Sequence, residues 1–114
     1  MRRAFVLLTL LLVAPADPTP ATALEIRHLL EAVEASPCTF VRNGRPHTGA
    51  EARSHMERKY DYVKKRVKRS EDFIALAASK SSMTGRPYQV VCEGEPPHDA
   101  RAWLLERLRL FRVD

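Results

Sequence analysis

Four polar side chains recur at helical spacing in the middle of the chain. They are His55, Lys59, Tyr62 and Arg66, and separations of four, three and four residues place them along one side of a helix. Together they offer hydrogen-bond donors and positive charge to an anionic or polar ligand. The structural alternative is a boundary row, in which Lys59 covers apolar surface with its stem and His55 bonds to a loop carbonyl. The sequence leaves both interpretations open.

A second polar cluster follows some twenty residues later in the stretch 79–88. It comprises Ser79, Ser81, Ser82 and Thr84 and is followed by Gly85, Pro87 and Tyr88. Serines after a helix commonly satisfy its last carbonyl groups or shape the following turn. If this turn meets the row on the helix, the two would form a small pocket for an anion or a hydrogen-bonding ligand.

The same serines raise a catalytic alternative, a small envelope hydrolase that uses Ser81 or Ser82 with His55. A nucleophilic serine needs a base within hydrogen-bond reach and an oxyanion hole. The chain contains neither a G-x-S-x-G elbow nor an S-x-x-K motif. We therefore expect no catalytic residue, and the alternative requires a serine oxygen within hydrogen-bond reach of His55.

Metal and cofactor binding have little support in the sequence. The four histidines, His28, His47, His55 and His98, show none of the short spacings that bring metal ligands together. The two cysteines, Cys38 and Cys92, are better explained as a disulfide. We predict no metal site and no cofactor.

A basic run covers residues 58–69, with Asp61 as the one acid in its interior. It suggests a further alternative, a peripheral protein that contacts anionic membrane surfaces through Arg58–Arg69. An amphipathic core helix with a solvated basic back gives the same pattern. The formal net charge of +5 is low for a nucleic-acid-binding protein, so we expect no nucleic-acid partner.

The N-terminus has the pattern of a secretory signal peptide. Arg2 and Arg3 precede an apolar run, 4–13, which is followed by small residues and prolines. That run is about half of the roughly 20 residues that a membrane span needs. Two A-x-A sites are present, and we favour cleavage after Ala23 over cleavage after Ala16. We predict a signal peptide, 1–23, and a periplasmic location.

The remaining residues, 24–114, are enough for a single domain with one modest core. Export permits a disulfide, and two cysteines allow one intramolecular pairing, Cys38–Cys92. That bridge would tie the front half of the domain to its back half.

Sequence periodicity predicts a helix over Leu24–Ser36, where apolar residues form one stripe. A strand follows at Cys38–Arg42. Asn43-Gly44 is the strongest short hairpin signal, because both central residues of a type I′ turn need positive φ. The return strand, Arg45–His47, contains Pro46 and must therefore lie at a sheet edge.

The second half reads as two further helices, a strand and a last helix. A capping box of Thr48 and Glu51 begins a long helix that continues to about Lys68. Ser70 is the expected N-cap of the next helix. Tyr88–Cys92 is the third strand, and His98-Asp99 caps a final helix over Ala100–Val113.

These elements predict an α+β fold with a three-stranded antiparallel sheet packed by about four helices and one disulfide. With the cysteines opposite each other, Phe40 faces Val90 and Arg42 faces Tyr88 on the same side of the sheet. The register is a hypothesis that follows from the proposed bridge.

The chain also resembles the YfeK-like family of small exported bacterial proteins. The motifs that carry the resemblance are Cys38-x-Phe40-x-Arg42-Asn43-Gly44, Ala52-x-x-His55-x-x-x-Lys59-Tyr60, Phe73-Ile74, Ser79-x-Ser81-Ser82-x-x-Gly85-x-Pro87-Tyr88-x-Val90-x-Cys92 and Trp103-Leu104. The resemblance implies a Gram-negative periplasmic protein and brings no activity or substrate. The family's recurring polar positions match His55, Lys59, Ser79, Ser81 and Ser82, which supports a pocket without naming its ligand.

We therefore expect a non-catalytic binding or protein-interaction module of the cell envelope. Its partner would be an envelope protein or a glycan, and the domain is expected to be a monomer. The predicted binding residues are Arg42, Asn43, His55, Lys59, Ser79, Ser81, Ser82 and Tyr88.

Overall fold

The computed structural model describes residues 18–113, which form four α-helices and a four-stranded antiparallel sheet. In chain order the elements are α1 (Pro20–Ala35), β1 (Thr39–Arg42), β2 (Arg45–His47), α2 (Gly49–Val63), α3 (Ser70–Ala77), β3 (Gln89–Val91), β4 (His98–Asp99) and α4 (Ala100–Val113). A short 3-10 segment, Lys64–Arg66, follows α2. The predicted α+β class, with its helices and its disulfide, is confirmed.

The hairpin of β1 and β2 turns at Asn43 and Gly44 as predicted. Both residues have positive φ, 53° and 77°, which is the requirement of a type I′ turn. The strand order is β2-β1-β3-β4, so β2 and its Pro46 lie at an edge of the sheet. The missing N–H of Pro46 therefore disrupts no ladder on the outer side.

The predicted register of the central strands is confirmed. Phe40 pairs with Val90, and Thr39 pairs with Val91. One step further along the same register, Cys38 and Cys92 form the disulfide, with their Cα atoms 4.4 Å apart. This separation matches a non-hydrogen-bonded antiparallel pair, in which side chains approach most closely, so the bridge needs no offset of the strands.

The prediction of three strands was wrong, because His98 and Asp99 form β4 instead of only capping the last helix. They pair with β3 through Val90–His98 and Gln89–Asp99. The N–H of Ala100 then donates to the carbonyl of Tyr88 at 2.8 Å. A strand of two residues has no periodicity of its own, and its pairing with β3 is a tertiary contact.

Helix α2 begins with the predicted capping box between Thr48 and Glu51. It ends at Val63, earlier than the predicted end near Lys68, and the chain tightens into the 3-10 segment. Val67 is nevertheless buried, in an extended conformation. The local sequence therefore identified where the helix begins but not where it stops.

Helix α1 begins at Pro20, about one turn before the predicted start at Leu24. The Thr19 side chain caps the helix by accepting a hydrogen bond from the N–H of Thr22. Pro20, at the first helical position, has no N–H that would need a partner. The predicted signal peptide lies largely outside the described residues. The favoured cleavage position, after Ala23, falls within α1.

The predicted cap of α3 was also wrong in detail. Arg69 is the N-cap residue, and the Asp72 carboxylate accepts from the N–H groups of Lys68 and Arg69 at 3.0 Å each. Ser70 instead donates to Glu25 at 2.6 Å. Ser70 is fully buried, so it needs this tertiary partner, and a local sequence pattern does not show one.

One hydrophobic core lies between the sheet and the four helices. Its largest fully buried side chains are Phe73, Ile26, Leu29, Ile74, Leu104 and Leu108. Trp103 packs edge-on against Phe40 of the sheet, with ring centroids 5.7 Å apart. None of the helices in the described region is long and apolar enough to cross a membrane.

Candidate functional site

A cleft of about 540 Å³ opens where the hairpin turn, α2 with its 3-10 segment, α3 and the loop before β3 meet. We call it the basic cleft. Its polar lining consists of Arg42, Asn43, His55, Lys59, Tyr62, Arg66, Lys80, Ser81, Ser82 and Tyr88. Seven of the eight predicted binding residues thus come together, and the remaining one, Ser79, does not line the cleft.

Tyr88 lies at the centre of the polar network. Its side chain is only 6% exposed, and a buried phenol hydroxyl needs hydrogen-bond partners. Helix α2 supplies them, because His55 and Lys59 are one turn apart on the same face. The Tyr88 hydroxyl lies 3.0 Å from His55 Nε2 and 3.2 Å from Lys59 Nζ. Burial raises the pKa of Tyr88, so it stays a neutral phenol.

Lys59 joins α2 to the loop before β3. Its ammonium group donates to the carbonyl of Lys80 at 2.8 Å and to the Tyr88 hydroxyl, and it lies 5.1 Å from the centre of that ring. Burial, together with the nearby Arg42 guanidinium, lowers the pKa of Lys59. The ammonium is therefore held in a partly desolvated position, where its hydrogen bonds go to neutral oxygen atoms.

His55 is neutral at physiological pH. Burial lowers its pKa to about 4, and the positive charges of Arg42, Lys59 and Arg58 act in the same direction. The Nε2 atom of a neutral imidazole ring can accept a hydrogen bond. The arrangement that satisfies all three groups has Lys59 donating to the Tyr88 oxygen and Tyr88 donating to His55, with the imidazole proton on Nδ1.

Asn43 fastens the hairpin turn to the loop before β3. Its amide nitrogen donates to Ser81 Oγ at 3.2 Å, and its amide oxygen accepts from Thr84 Oγ1 at 2.7 Å. Ser81 Oγ also lies 3.3 Å from the N–H groups of Met83 and Thr84, which both donate to it. Asn43 and Ser81 therefore shape the wall of the basic cleft.

The other two serines have different surroundings. Ser79 donates to the carbonyl of Ile74 at 2.6 Å, so it satisfies the end of α3 as serines after helices commonly do. Ser82 is exposed and lines the basic cleft. Of the three serines, Ser82 is the one whose hydroxyl is available to a ligand.

This geometry gives the hydrolase alternative no support. The Nε2 atom of His55 is engaged by Tyr88, and within residues 18–113 no serine hydroxyl is hydrogen-bonded to His55. Ser81 is buried and accepts three hydrogen bonds. A base with a pKa of about 4 is also poorly matched to proton abstraction near neutral pH.

Positive charge dominates the basic cleft. Arg42, Lys59, Arg66 and Lys80 line it, and among its described lining residues there is no aspartate or glutamate. The carboxylates with salt bridges pair elsewhere, for example Glu34 with Arg53 and Glu25 with Arg112. The cleft therefore presents cations to solvent without internal neutralisation.

A family model described as "Family of unknown function (DUF5329)" matches residues 20–112. The chain belongs to the DUF5329 family. It is also similar to "Uncharacterized protein YfeK" of Salmonella typhimurium, with 40% identity over 86 residues, 75% of this chain and 72% of that protein. The YfeK-like resemblance is confirmed. No solved structure matches the chain.

Sequence reasoning missed several parts of the site in this DUF5329 protein. The side chain of Thr84 completes the Asn43 link, and Met83 lies almost fully exposed at the cleft. Val63 and Leu76 supply an apolar floor from α2 and α3. No local sequence signal distinguishes a core residue from one that also borders a cleft, as Val63 and Leu76 do.

Metal binding and membrane contact were two other kinds of interaction that the sequence analysis considered. Among residues 18–113 no group of three histidine, cysteine, aspartate or glutamate side chains could hold a metal ion. In the basic run of the DUF5329 chain, Arg58 bonds to Ser54 and Lys64 lies 5.4 Å from the centre of the Tyr60 ring. Membrane contact through this run stays a prediction.

Proposed function

We propose that this chain is an exported, non-catalytic binding module of the cell envelope that captures an anionic group in the basic cleft. The observation that carries the proposal is the charge of the cleft, which has four cationic side chains and no carboxylate among its described lining residues. Electrostatic complementarity of this kind selects ligands by sign.

The cations of the cleft are available to a ligand. Arg42, Arg66 and Lys80 form no salt bridge with any carboxylate in the described part of the chain. Lys59 has a lowered pKa because it is partly buried near Arg42. An anion placed beside Lys59 would stabilise its charged form, so ligand binding and protonation of Lys59 favour each other.

The site is also organised before any ligand arrives. Lys59 is held by two hydrogen bonds and Asn43 by two more, so little side-chain entropy remains to be lost at these positions. The neutral His55 and the neutral Tyr88 bond to each other. These features support binding without supplying a nucleophile or a general base.

Two features support export. The N-terminus carries the signal-peptide pattern, and the Cys38–Cys92 disulfide is typical of oxidising compartments such as the periplasm.

Affinity measurements with small anions test the function. We expect phosphate and succinate to bind, more weakly as salt rises, when measured by isothermal titration calorimetry. Arg66→Gln should weaken binding roughly fivefold, the equivalent of about 1 kcal/mol. Arg66 is exposed and has no described side-chain partner, so its removal should leave the fold intact.

The matched control is Lys65→Gln. Lys65 is the preceding residue of the same 3-10 segment, carries the same charge and does not line the basic cleft. Equal losses in the two variants would mean that only the general basicity of the surface matters. Absence of binding for both anions at low salt would contradict the proposed function.

A further inference from the structure

We infer that the occupant of the basic cleft is a short protein segment that carries a carboxylate beside an apolar side chain. The inference rests on the proposed function and adds the chemical class of the ligand. The basic cleft has an apolar part as well as its cations.

The apolar part of the cleft is formed by side chains that are unusually exposed. Tyr62 is 91% exposed and Met83 is 95% exposed, and both line the cleft. The half-buried Val63 and Leu76 also line the cleft. Single exposed apolar residues are ordinary, but an aromatic and a methionine at one cleft are typical of protein-binding surfaces.

The hairpin contributes only polar residues to the cleft and α3 only apolar ones, while α2 with its 3-10 segment and the loop before β3 contribute both kinds. The hairpin turn contributes Arg42 and Asn43, whereas α3 contributes Ala75 and Leu76. Arg42 acts electrostatically on His55, Lys59 and Tyr88, so its positive charge belongs to that end of the cleft. A ligand that crosses the cleft therefore meets cations from the hairpin and apolar carbon from α3.

The size of the cleft fits several residues of extended chain. From His55 to Arg66 the helical chain rises roughly 16 Å, at about 1.5 Å per residue. An extended peptide covers that length with about five residues. A volume of about 540 Å³ is far larger than a single inorganic anion requires and lies within the usual range of small-ligand sites.

Charge and shape favour an acidic peptide over other anionic partners. A neutral glycan would leave the cations Arg42, Arg66 and Lys80 without partners in the described region. A flat membrane surface would contact the exposed Arg66 and Lys80 but would not reach the partly buried Lys59. An extended segment with alternating acidic and apolar residues places its carboxylates and its hydrocarbon on different walls.

Three blocked pentapeptides test the inference by fluorescence anisotropy. One alternates glutamate and leucine, the second replaces each leucine by serine, and the third replaces each glutamate by glutamine. We expect the glutamate–leucine peptide to bind roughly tenfold tighter than either analogue, because each analogue loses one of the two contributions.

Variants of the protein locate the apolar contribution. A Tyr62→Ser/Met83→Ser double variant should bind the glutamate–leucine peptide about as weakly as the wild type binds its serine analogue. Both side chains are exposed, so the fold should survive the change. Val113→Ser removes another exposed apolar side chain, 68% exposed on α4 and away from the cleft, and should leave the affinity unchanged.

The possible results separate this inference from the proposed function. If the serine analogue binds as tightly as the leucine peptide, the inference is overturned while the anion site stands. If the protein binds succinate or phosphate but neither acidic peptide, the inference is likewise overturned while the anion site stands. Equal loss from Arg66→Gln and Lys65→Gln, with tight binding to vesicles of phosphatidylglycerol, would overturn both in favour of a membrane surface.

Discussion

At the scale of single residues, the hydroxyl of Tyr88 determines how the basic cleft is built. It brings His55 and Lys59 together because a buried phenol cannot be left without partners. In this arrangement burial and the neighbouring cations disfavour the charged form of His55 and lower its pKa. The stability of the protein should therefore depend on pH in a range where few other groups titrate.

The first prediction concerns that pH dependence. His55 has a pKa of about 4 in the folded protein against a reference value of 6.5, so below pH 6.5 the unfolded chain binds a proton that the folded chain does not. Stability is then highest above pH 6.5 and falls as the pH decreases towards 4. We expect a loss of about 1–2 kcal/mol, discounted for partial exposure, in urea titrations.

The control for this prediction is His55→Gln, which cannot titrate. Its stability should be flatter than that of the wild type between pH 6.5 and 4.5. The acids with lowered pKa, Glu71, Glu25, Asp72 and Glu106, lose their contribution below about pH 4.5, outside this window. Parallel curves for the two proteins would show that His55 is not held neutral.

The sequence predicted several residues of the site, but it could not predict roles that depend on tertiary contacts. Helical spacing placed His55 and Lys59 on one face. The predicted pairing of Arg42 with Tyr88 lies beyond the paired residues of β1 and β3, although both side chains line the cleft. The role of each serine was not predictable, because Ser79 and Ser81 are distinguished only by which backbone and side-chain groups fold against them. The exposure of Met83 likewise depends on the path of a loop.

At the scale of elements, the loop before β3 forms one wall of the cleft and is fixed at several points by hydrogen bonds. Gly85 N–H donates to the Ser81 carbonyl at 2.9 Å, and Ser81 N–H donates to the Arg86 carbonyl at 3.0 Å. Asn43 then ties this loop to the hairpin turn. The cleft should widen if the tie is removed.

The second prediction tests this tie with Asn43→Gly. Glycine keeps the positive φ of the turn, so the change removes the side-chain bonds to Ser81 and Thr84 alone. We expect a destabilisation of about 1–2 kcal/mol and faster hydrogen exchange at the Ser81 and Gly85 amides. Unchanged exchange would mean that the loop is ordered without Asn43.

The third prediction concerns the contact of α4 with α1 and α3. Arg112 bonds to Glu25 at 2.9 Å and to Glu71 at 2.7 Å, and it holds the pKa of Glu71 at about 2. Arg112→Ala should cost about 1 kcal/mol at pH 7 and make stability less sensitive to acid between pH 4.5 and 2.

Arg109→Ala is the matched control for Arg112→Ala. Arg109 lies on the same helix and pairs with Glu106, but that pair joins residues of one exposed helical turn. Its removal should leave the free energy of unfolding nearly unchanged, because the pair is fully exposed to solvent. If both variants lose the same stability in chemical denaturation, Arg112 does not join the helices in solution.

The elements themselves show where sequence patterns stop being informative. The capping box of α2 and the turn at Asn43-Gly44 are local, and both formed as predicted. Strand β4 depends on pairing with β3, and the buried Ser70 depends on Glu25, a residue far away in the sequence. These errors arise from tertiary contacts that outweigh local preference.

At the scale of the whole molecule, the disulfide joins the two sides of the fold. Cys38 and Cys92 are 54 positions apart in sequence and pack against the core. The bridge connects β1, which follows α1, with β3, which follows the loop of the basic cleft. Its contribution should be large because a small domain has limited core to stabilise it.

The fourth prediction is that Cys38→Ala/Cys92→Ala lowers the free energy of unfolding by roughly 4 kcal/mol, as the loop-entropy model gives for this separation. The measurement is urea denaturation of the variant beside the oxidised wild type. Addition of a reductant should destabilise the wild type alone. Identical unfolding curves would show that the bridge adds nothing to stability.

The measurement that tests the central claim most directly is a crystal structure of the protein saturated with succinate. We expect a carboxylate in the basic cleft, within hydrogen-bond distance of Lys59 and at least one of Arg42 and Arg66, with the Tyr88–His55 contact retained. Succinate bound elsewhere on the surface, with the cleft occupied only by water, would contradict it.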